Sequence, residues 1–281
     1  MNRLPKIIAL LISLAGLSLW GGSVFAVTCT STGSGNWTQR NTWGTPVNGC
    51  VGAPGGIPGA ADDVTIAAAT VVNMNDNPGG ALSLTINGTA NWNQARTTNV
   101  GVGGITINAG GDITGAVAGV LTSTGGLTIN ANLTSTTVTI VLQTIVAQTI
   151  SGTGSLANLT ITGAGVTATN TGTLTVGTAL AGTGNLTNGA TGTLNIGGTS
   201  AIAALTAVAN GNTVNYTGVA QTVNPVNYYH LGLSGSGAKT MTGITVIGGD
   251  LSISGTATMT GNAAFTVAGA LNYASTGATT L

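Results

Sequence analysis

Along most of the chain, apolar side chains alternate with small polar ones for three or four residues and then stop at a Gly or Asn. Leu84-Thr85-Ile86-Asn87-Gly88 is one such stretch, followed by Ile105-Thr106-Ile107-Asn108 and Leu127-Thr128-Ile129-Asn130. The pattern returns at Leu159-Thr160-Ile161, Leu174-Thr175-Val176-Gly177, Leu194-Asn195-Ile196-Gly197, Leu231-Gly232-Leu233, Leu251-Ser252-Ile253 and Leu271-Asn272-Tyr273. Alternation with period two marks a strand with one buried face, whereas a helix would repeat its apolar positions every 3.6 residues. The terminating Gly and Asn are turn residues. Three runs of units keep an even spacing: Leu84, Ile105 and Leu127, then Leu174 and Leu194, then Leu231, Leu251 and Leu271. The spacing breaks down around residues 130–160 and 205–230.

Short strands recurring every ~20 residues predict one coil of a β-solenoid per repeat. A single coil cannot bury its apolar side, but stacked coils share a continuous Leu/Ile/Val column. From about residue 64 there is room for roughly ten or eleven coils, a rod about 50 Å long at the ~4.8 Å strand spacing. The competing arrangement is a string of antiparallel β-sandwich modules, whose period would be roughly 100 residues with a core aromatic in each. The observed period and the scarcity of aromatics favour the solenoid. The fold class is therefore all-β.

The first residues change the picture of where the protein works. Arg3 and Lys6 precede an apolar run, Ile7 to Leu19, and Val24-Phe25-Ala26 offers the small-residue pattern of a signal-peptidase site. This reads as an export leader cleaved after Ala26, too short for a membrane span. No later stretch is long and apolar enough to span, so no membrane insertion is expected after removal of the leader. The remaining chain keeps Arg40, Arg96 and Lys239 against Asp62, Asp63, Asp76, Asp112 and Asp250, a net charge of 3 − 5 = −2. Without a basic patch, nucleic acid is excluded as a partner, as is attachment to anionic lipid through a polybasic stretch. Low charge accompanies disorder only when β-branched and apolar residues are also scarce, which is not the case here.

Composition divides the chain into the leader (1–26), an N-terminal cap segment (27–66) and solenoid repeats (67–281). The cap segment holds Cys29, Cys50, Trp37, Trp43 and the pair Asp62-Asp63. In an exported protein the first reading of two cysteines is a disulfide, Cys29 to Cys50. A reactive thiol or half a metal site is the alternative. Trp37 and Trp43 are candidates for covering the apolar end of the solenoid, and the first strand is expected at Val64-Thr65-Ile66. Asp62 and Asp63 read first as turn and edge residues. They are also candidate calcium ligands, although two carboxylates supply few of the 6–8 oxygens that ion takes.

Gly35-Asn36-Trp37, Thr42-Trp43-Gly44 and Pro58-Gly59-Ala60-Ala61-Asp62-Asp63-Val64-Thr65-Ile66 resemble the opening of many secreted bacterial β-helix proteins, including the domain named for its eight glycines. The Thr/Gly/Asn-rich repeats that follow look like passenger regions of autotransporter and filamentous-haemagglutinin-type adhesins. The resemblance implies a right-handed parallel β-helix with an extracellular role in attachment or scaffolding. It carries over no catalytic residue.

Titratable groups suited to acid–base chemistry are few beyond residue 97: Asp112, Lys239, Asp250 and the single His230. Lys239 and Asp250 fall within a coil of each other and read as an ion pair. His230 follows Tyr228-Tyr229 and reads as a turn residue. The glycines of Gly101-Val102-Gly103-Gly104 lack the Lys-Ser/Thr of a phosphate loop. The expectation is thus a secreted or cell-surface structural and adhesive solenoid, not an enzyme and without a required cofactor. Its partners would be an extracellular carbohydrate or protein surface, or another copy through an open solenoid end. Leu271-Asn272-Tyr273 begins a further unit, and the array is expected to continue beyond Leu281. Two alternatives are an ice-binding solenoid and a non-catalytic part of a carbohydrate-processing or carbohydrate-binding protein. Ice binding calls for flat ranks of Thr-x-Thr, and of the outward pairs Ser83/Thr85, Gly104/Thr106, Gly126/Thr128, Asn158/Thr160, Thr173/Thr175 and Thr193/Asn195 only one is Thr/Thr.

Overall fold

In a computed structural model the alternating segments become strands that pair, in parallel and in register, with the same segment of the next coil. Residues 26–44, 50, 54–75, 79–144, 147–261 and 264–277 are described. The leader lies outside them apart from Ala26. The main ladder begins Thr28–Thr30, Asp63–Ile66 and Ala81–Ile86 and continues into Thr97–Ile107 and Leu127–Ile129. Its inward column is Cys29↔Val64↔Leu84↔Ile105↔Leu127, all buried. Beyond Leu127 this column passes through Ile150 to Asn170 and Asn188, while a second inward column, entered from Gly154, runs Leu174↔Leu194↔Val214↔Leu231↔Leu251↔Leu271. A parallel strand pair cannot be closed by a tight turn, so each coil must travel round the rod to return to its own ladder. The return path carries further parallel ladders. One runs Val120–Ser123, Thr139–Leu142 and on into Thr153–Ile161. The main ladder itself continues from Leu127–Ile129 into Gln148–Ser151, Thr167–Asn170 and the last residues of Thr173–Asn188. Long bent strands such as Thr173–Asn188 turn a corner and join ladders into one 17-stranded sheet. The protein is a parallel β-solenoid with no α-helix among the described residues.

Register explains both breaks in the sequence pattern. Leu127 pairs with Ile150, so the coil between them is longer than its neighbours. At its end Gln148, and just beyond it Gly154, take inward positions that Leu or Ile occupy elsewhere. Val214 pairs with Leu231, and the coil between these two is shorter than its neighbours. There Tyr216 and Tyr228, both buried, fill the interior with their hydroxyls 3.1 Å apart. Asn224 completes that cluster: its amide N–H donates to Tyr216 Oη at 2.9 Å and its carbonyl accepts from Tyr228 Oη at 2.8 Å.

The segment 27–66 is more than a lid. Thr28–Thr30 already pairs with Asp63, Val64 and Thr65, and Gly35–Asn36 pairs with Val72 and Asn73, so the first strand lies one coil before the expected one. That first coil is the longest of the main ladder's N-terminal part, running from Thr28 to Asp63. The surplus holds Trp37 and Trp43, buried edge-to-face with ring centroids 5.1 Å apart, and Trp43 Nε1 donates to the Trp37 carbonyl at 2.6 Å. Cys29 and Cys50 form a disulfide, which fastens this excursion to the inward column. At the other end the last described coil leaves Leu271 49% and Tyr273 43% exposed.

Candidate functional site

With Leu, Ile and Val turned inward, each strand of the main ladder shows two outward positions, and register stacks these into two ranks. One rank reads Thr65, Thr85, Thr106 and Thr128 through the N-terminal coils. On the downstream strands the same outward parity gives Thr175, Asn195, Asn215, Gly232, Ser252 and Asn272, a rank that register traces back to Ser155 and Asn132 and not to Thr128. The other reads Thr153, Thr173, Thr193, Thr213 and His230 before reaching Asp250, the residue preceding Leu251. Amide side chains tie successive coils together. Asn195 Nδ2 donates to Thr175 Oγ1 at 3.1 Å, and Asn215 Nδ2 donates to Asn195 Oδ1 at 2.8 Å. On another face Asn91 Nδ2 donates to Asn73 Oδ1 and Thr114 Oγ1 donates to Asn91 Oδ1, both at 2.9 Å.

Both ranks change character at the same coils. The string of amides stops at Gly232, where a Cβ would run into Asn215 Oδ1. Asn215 Oδ1 fills that place, and beside it lies an open cavity of about 270 Å³ lined by Thr213, Asn215, His230, Gly232, Asp250 and Ser252. His230 opens the strand His230–Leu233 and is not a turn residue. Its Nδ1 accepts the Asp250 backbone N–H at 2.9 Å, which puts the proton of the neutral ring on Nε2. Asp250 Oδ1 accepts the Ala270 N–H at 2.7 Å, and Oδ2 lies 3.6 Å from His230 Nδ1. Tyr229 braces the imidazole edge-on, centroids 4.5 Å apart. In a Ser–His–Asp triad the Nδ1 proton points at the carboxylate; here that nitrogen is occupied by a main-chain donor instead.

No protein-family model, curated protein or solved structure matches this chain.

The other sequence-predicted residues are scattered. Asp62 just precedes the strand Asp63–Ile66 and is buried, whereas Asp63 opens that strand and is exposed. The Asp62 carboxylate is buried and accepts the N–H groups of Gly59 at 2.8 Å and Val27 at 3.1 Å, while Asp63 Oδ1 accepts from Ser83 Oγ. The adjacent carboxylates therefore do not converge on one cation position. Among the described residues no three His, Cys, Asp or Glu side chains cluster as metal ligands. Asp112 holds the next coil through the backbone N–H and hydroxyl of Thr134, at 2.9 and 2.7 Å.

The expected Lys239–Asp250 pair is not made. Lys239 points inward and is fully buried. Its ammonium donates to the carbonyls of Gly218 and Val219, both at 2.6 Å, and to Gln221 Oε1 at 2.8 Å. Burial pushes its pKa down to about 8. Sequence reasoning misses the inward side of Lys239 because period-two alternation through Ser236–Thr240 carries no large apolar neighbours. It misses the meeting of Asn215, Gly232 and Ser252 with His230 and Asp250 because the shortened coil upsets counting by equal steps. The available signal is the spacing of His230 and Asp250, which stand one ordinary coil apart.

Proposed function

We propose that the mature chain is a secreted or cell-surface β-solenoid with a structural and adhesive role, contacting an extracellular carbohydrate or protein surface through its outward ranks. The observation that carries this reading is the pair of in-register ranks of Thr, Ser and Asn along the main ladder. Hydroxyl and amide groups held at one strand spacing after another form a rigid array of matched donors and acceptors, suited to a repetitive polar partner. The Cys29–Cys50 disulfide is compatible with an oxidising compartment, in line with the leader. The adhesin resemblance and the right-handed winding it implies belong to the same proposal.

The test is retention of the chain from Val27 onward on insoluble polysaccharides and on intact cells. Saturable retention competed by soluble oligosaccharide is expected, and no retention on any surface overturns it. The Thr65–Thr85–Thr106–Thr128 and Thr153–Thr173–Thr193–Thr213 ranks also favour a second reading, ice binding. A freezing gap in thermal-hysteresis measurement would select that reading, and its absence would remove it.

A further inference from the structure

We propose that the cavity beside Gly232 is a binding site for one neutral sugar ring of a carbohydrate chain; this rests on the attachment reading and gives it a place. The cavity, about 270 Å³ and open to solvent, is wide enough to admit one sugar ring. Its groups are placed but not consumed by the fold. Asn215 gives its Nδ2 back to Asn195, so its Oδ1 is left facing the space over Gly232 as an acceptor. Asp250 gives Oδ1 to Ala270, which leaves Oδ2 available as a second, charged acceptor. His230 takes the Asp250 amide on Nδ1 and so offers Nε2–H as a donor. The hydroxyls of Thr213 and Ser252 donate or accept.

Sugar hydroxyls both donate and accept, and a carboxylate–amide pair flanked by hydroxyls satisfies two adjacent ones at once. The Asp250 carboxylate repels phosphate, sulfate or a uronic acid. A single carboxylate beside an imidazole is a poor set for a hard cation, which takes carboxylate, carbonyl and water oxygens. Gly232 is the residue that makes the room. Its φ is not in the left-handed region, and the atom a side chain would meet is the far end of Asn215, so a larger residue pushes that amide into the cavity without breaking the strand.

The test uses the chain from Val27 onward with methyl β-glucoside, methyl β-galactoside, methyl α-mannoside and N-acetylglucosamine, read by saturation-transfer NMR and titration. At least one of these sugars is expected to bind the wild type. Gly232→Thr, Asp250→Asn and Ser252→Ala should each weaken it at least tenfold with unchanged circular dichroism. Thr169→Ala, on a different ladder, should leave it unaltered. If Gly232→Thr fails to fold, the other two variants carry the test. Wild-type affinity retained in all three overturns the site, as does binding only of sulfate, glucuronate or calcium chloride alone. A wild type that binds none of the sugars, yet is retained on polysaccharide equally with Gly232→Thr, overturns the site and spares the attachment reading. Loss of retention on every surface overturns both.

Discussion

Lys239 offers the sharpest test of the buried side of the solenoid. Among the described residues no carboxylate pairs with its ammonium, which is held by three neutral oxygens, so burial dominates and the pKa falls from 10.5 to about 8. Between those values the unfolded chain binds more protons than the folded one, and stability therefore rises with pH. Below pH 8 the folded lysine is charged and carries the full penalty, about 3 kcal/mol at about 1.36 kcal/mol per pH unit of that fall. From pH 7 to 9.5 the linkage integral returns about 2 kcal/mol of this. Above that range Tyr216 and Tyr228 work in the opposite sense. Their pKa values are raised, first by burial, so the stability they hold below the unfolded tyrosine value is lost as pH climbs past it. A difference measurement isolates the lysine. Met259 occupies the register position beside Lys239 in the next coil, so Lys239→Met places a side chain the column already accepts. At pH 7 the variant loses three charge-assisted hydrogen bonds and sheds the burial penalty, two effects of opposite sign. The slope is what decides. Guanidinium unfolding followed by circular dichroism at pH 7, 8, 8.75 and 9.5 should show wild type gaining about 2 kcal/mol on the variant. A wild-type-minus-variant difference that is flat, or that falls with pH, would refute the burial argument.

Two further perturbations test the ends of the same logic. Cys50→Ser opens the loop closed across a sequence separation of 21 and should lower stability by about 3 kcal/mol in the chain-entropy account, measured by denaturant midpoint against the oxidised wild type. Tyr216→Phe removes the hydroxyl that accepts the Asn224 N–H inside the short coil and should destabilise by about 1–3 kcal/mol, with earlier hydrogen exchange at Asn224 than at Leu251.

The fold is legible where one strand equals one motif. The Leu-Thr-Ile units stack as read because a steady period with alternating burial leaves one economical solution, a shared inward column. Reading fails where a coil departs from its mean length. At 127–150 the interior accepts Gln148, whose Nε2 donates to the Ser123 carbonyl at 3.3 Å, so a polar residue reads as outward while facing in. Lys239 misleads in the same way one face along. Thr28–Thr30 escapes notice because its partner begins only at Asp63, farther off than any repeat the sequence displays. The candidate site depends on three-coil register across the shortened 214–231 turn, which no local pattern encodes.

The scarcity of charge follows from stacking. In a parallel in-register rod every outward position meets its counterpart one strand spacing away, so a repeated charge would meet itself at ~4.8 Å along the whole rank. Each such pair costs about 0.9 kcal/mol even at the dielectric of water, and an array would sum many. Thr, Ser and Asn give the opposite sign, since each can donate to one neighbour and accept from the other. The few charged groups obey this rule by appearing singly and by gripping an adjacent coil. Asp63 reaches Ser83, Asp112 reaches Thr134, Arg96 Nε donates to the Asn75 carbonyl at 3.3 Å, and Lys239 reaches back to Gly218 and Val219. His230 and Asp250 stand apart because two ionisable side chains occupy neighbouring places in one rank, directly after Thr153, Thr173, Thr193 and Thr213. A uniform ladder would continue the threonines there at no cost in stacking. Interrupting it with an imidazole, a carboxylate and a bare glycine sets three coils apart from an otherwise repetitive surface, and that local break in a periodic rule is the physical ground for placing recognition at this point of the rod.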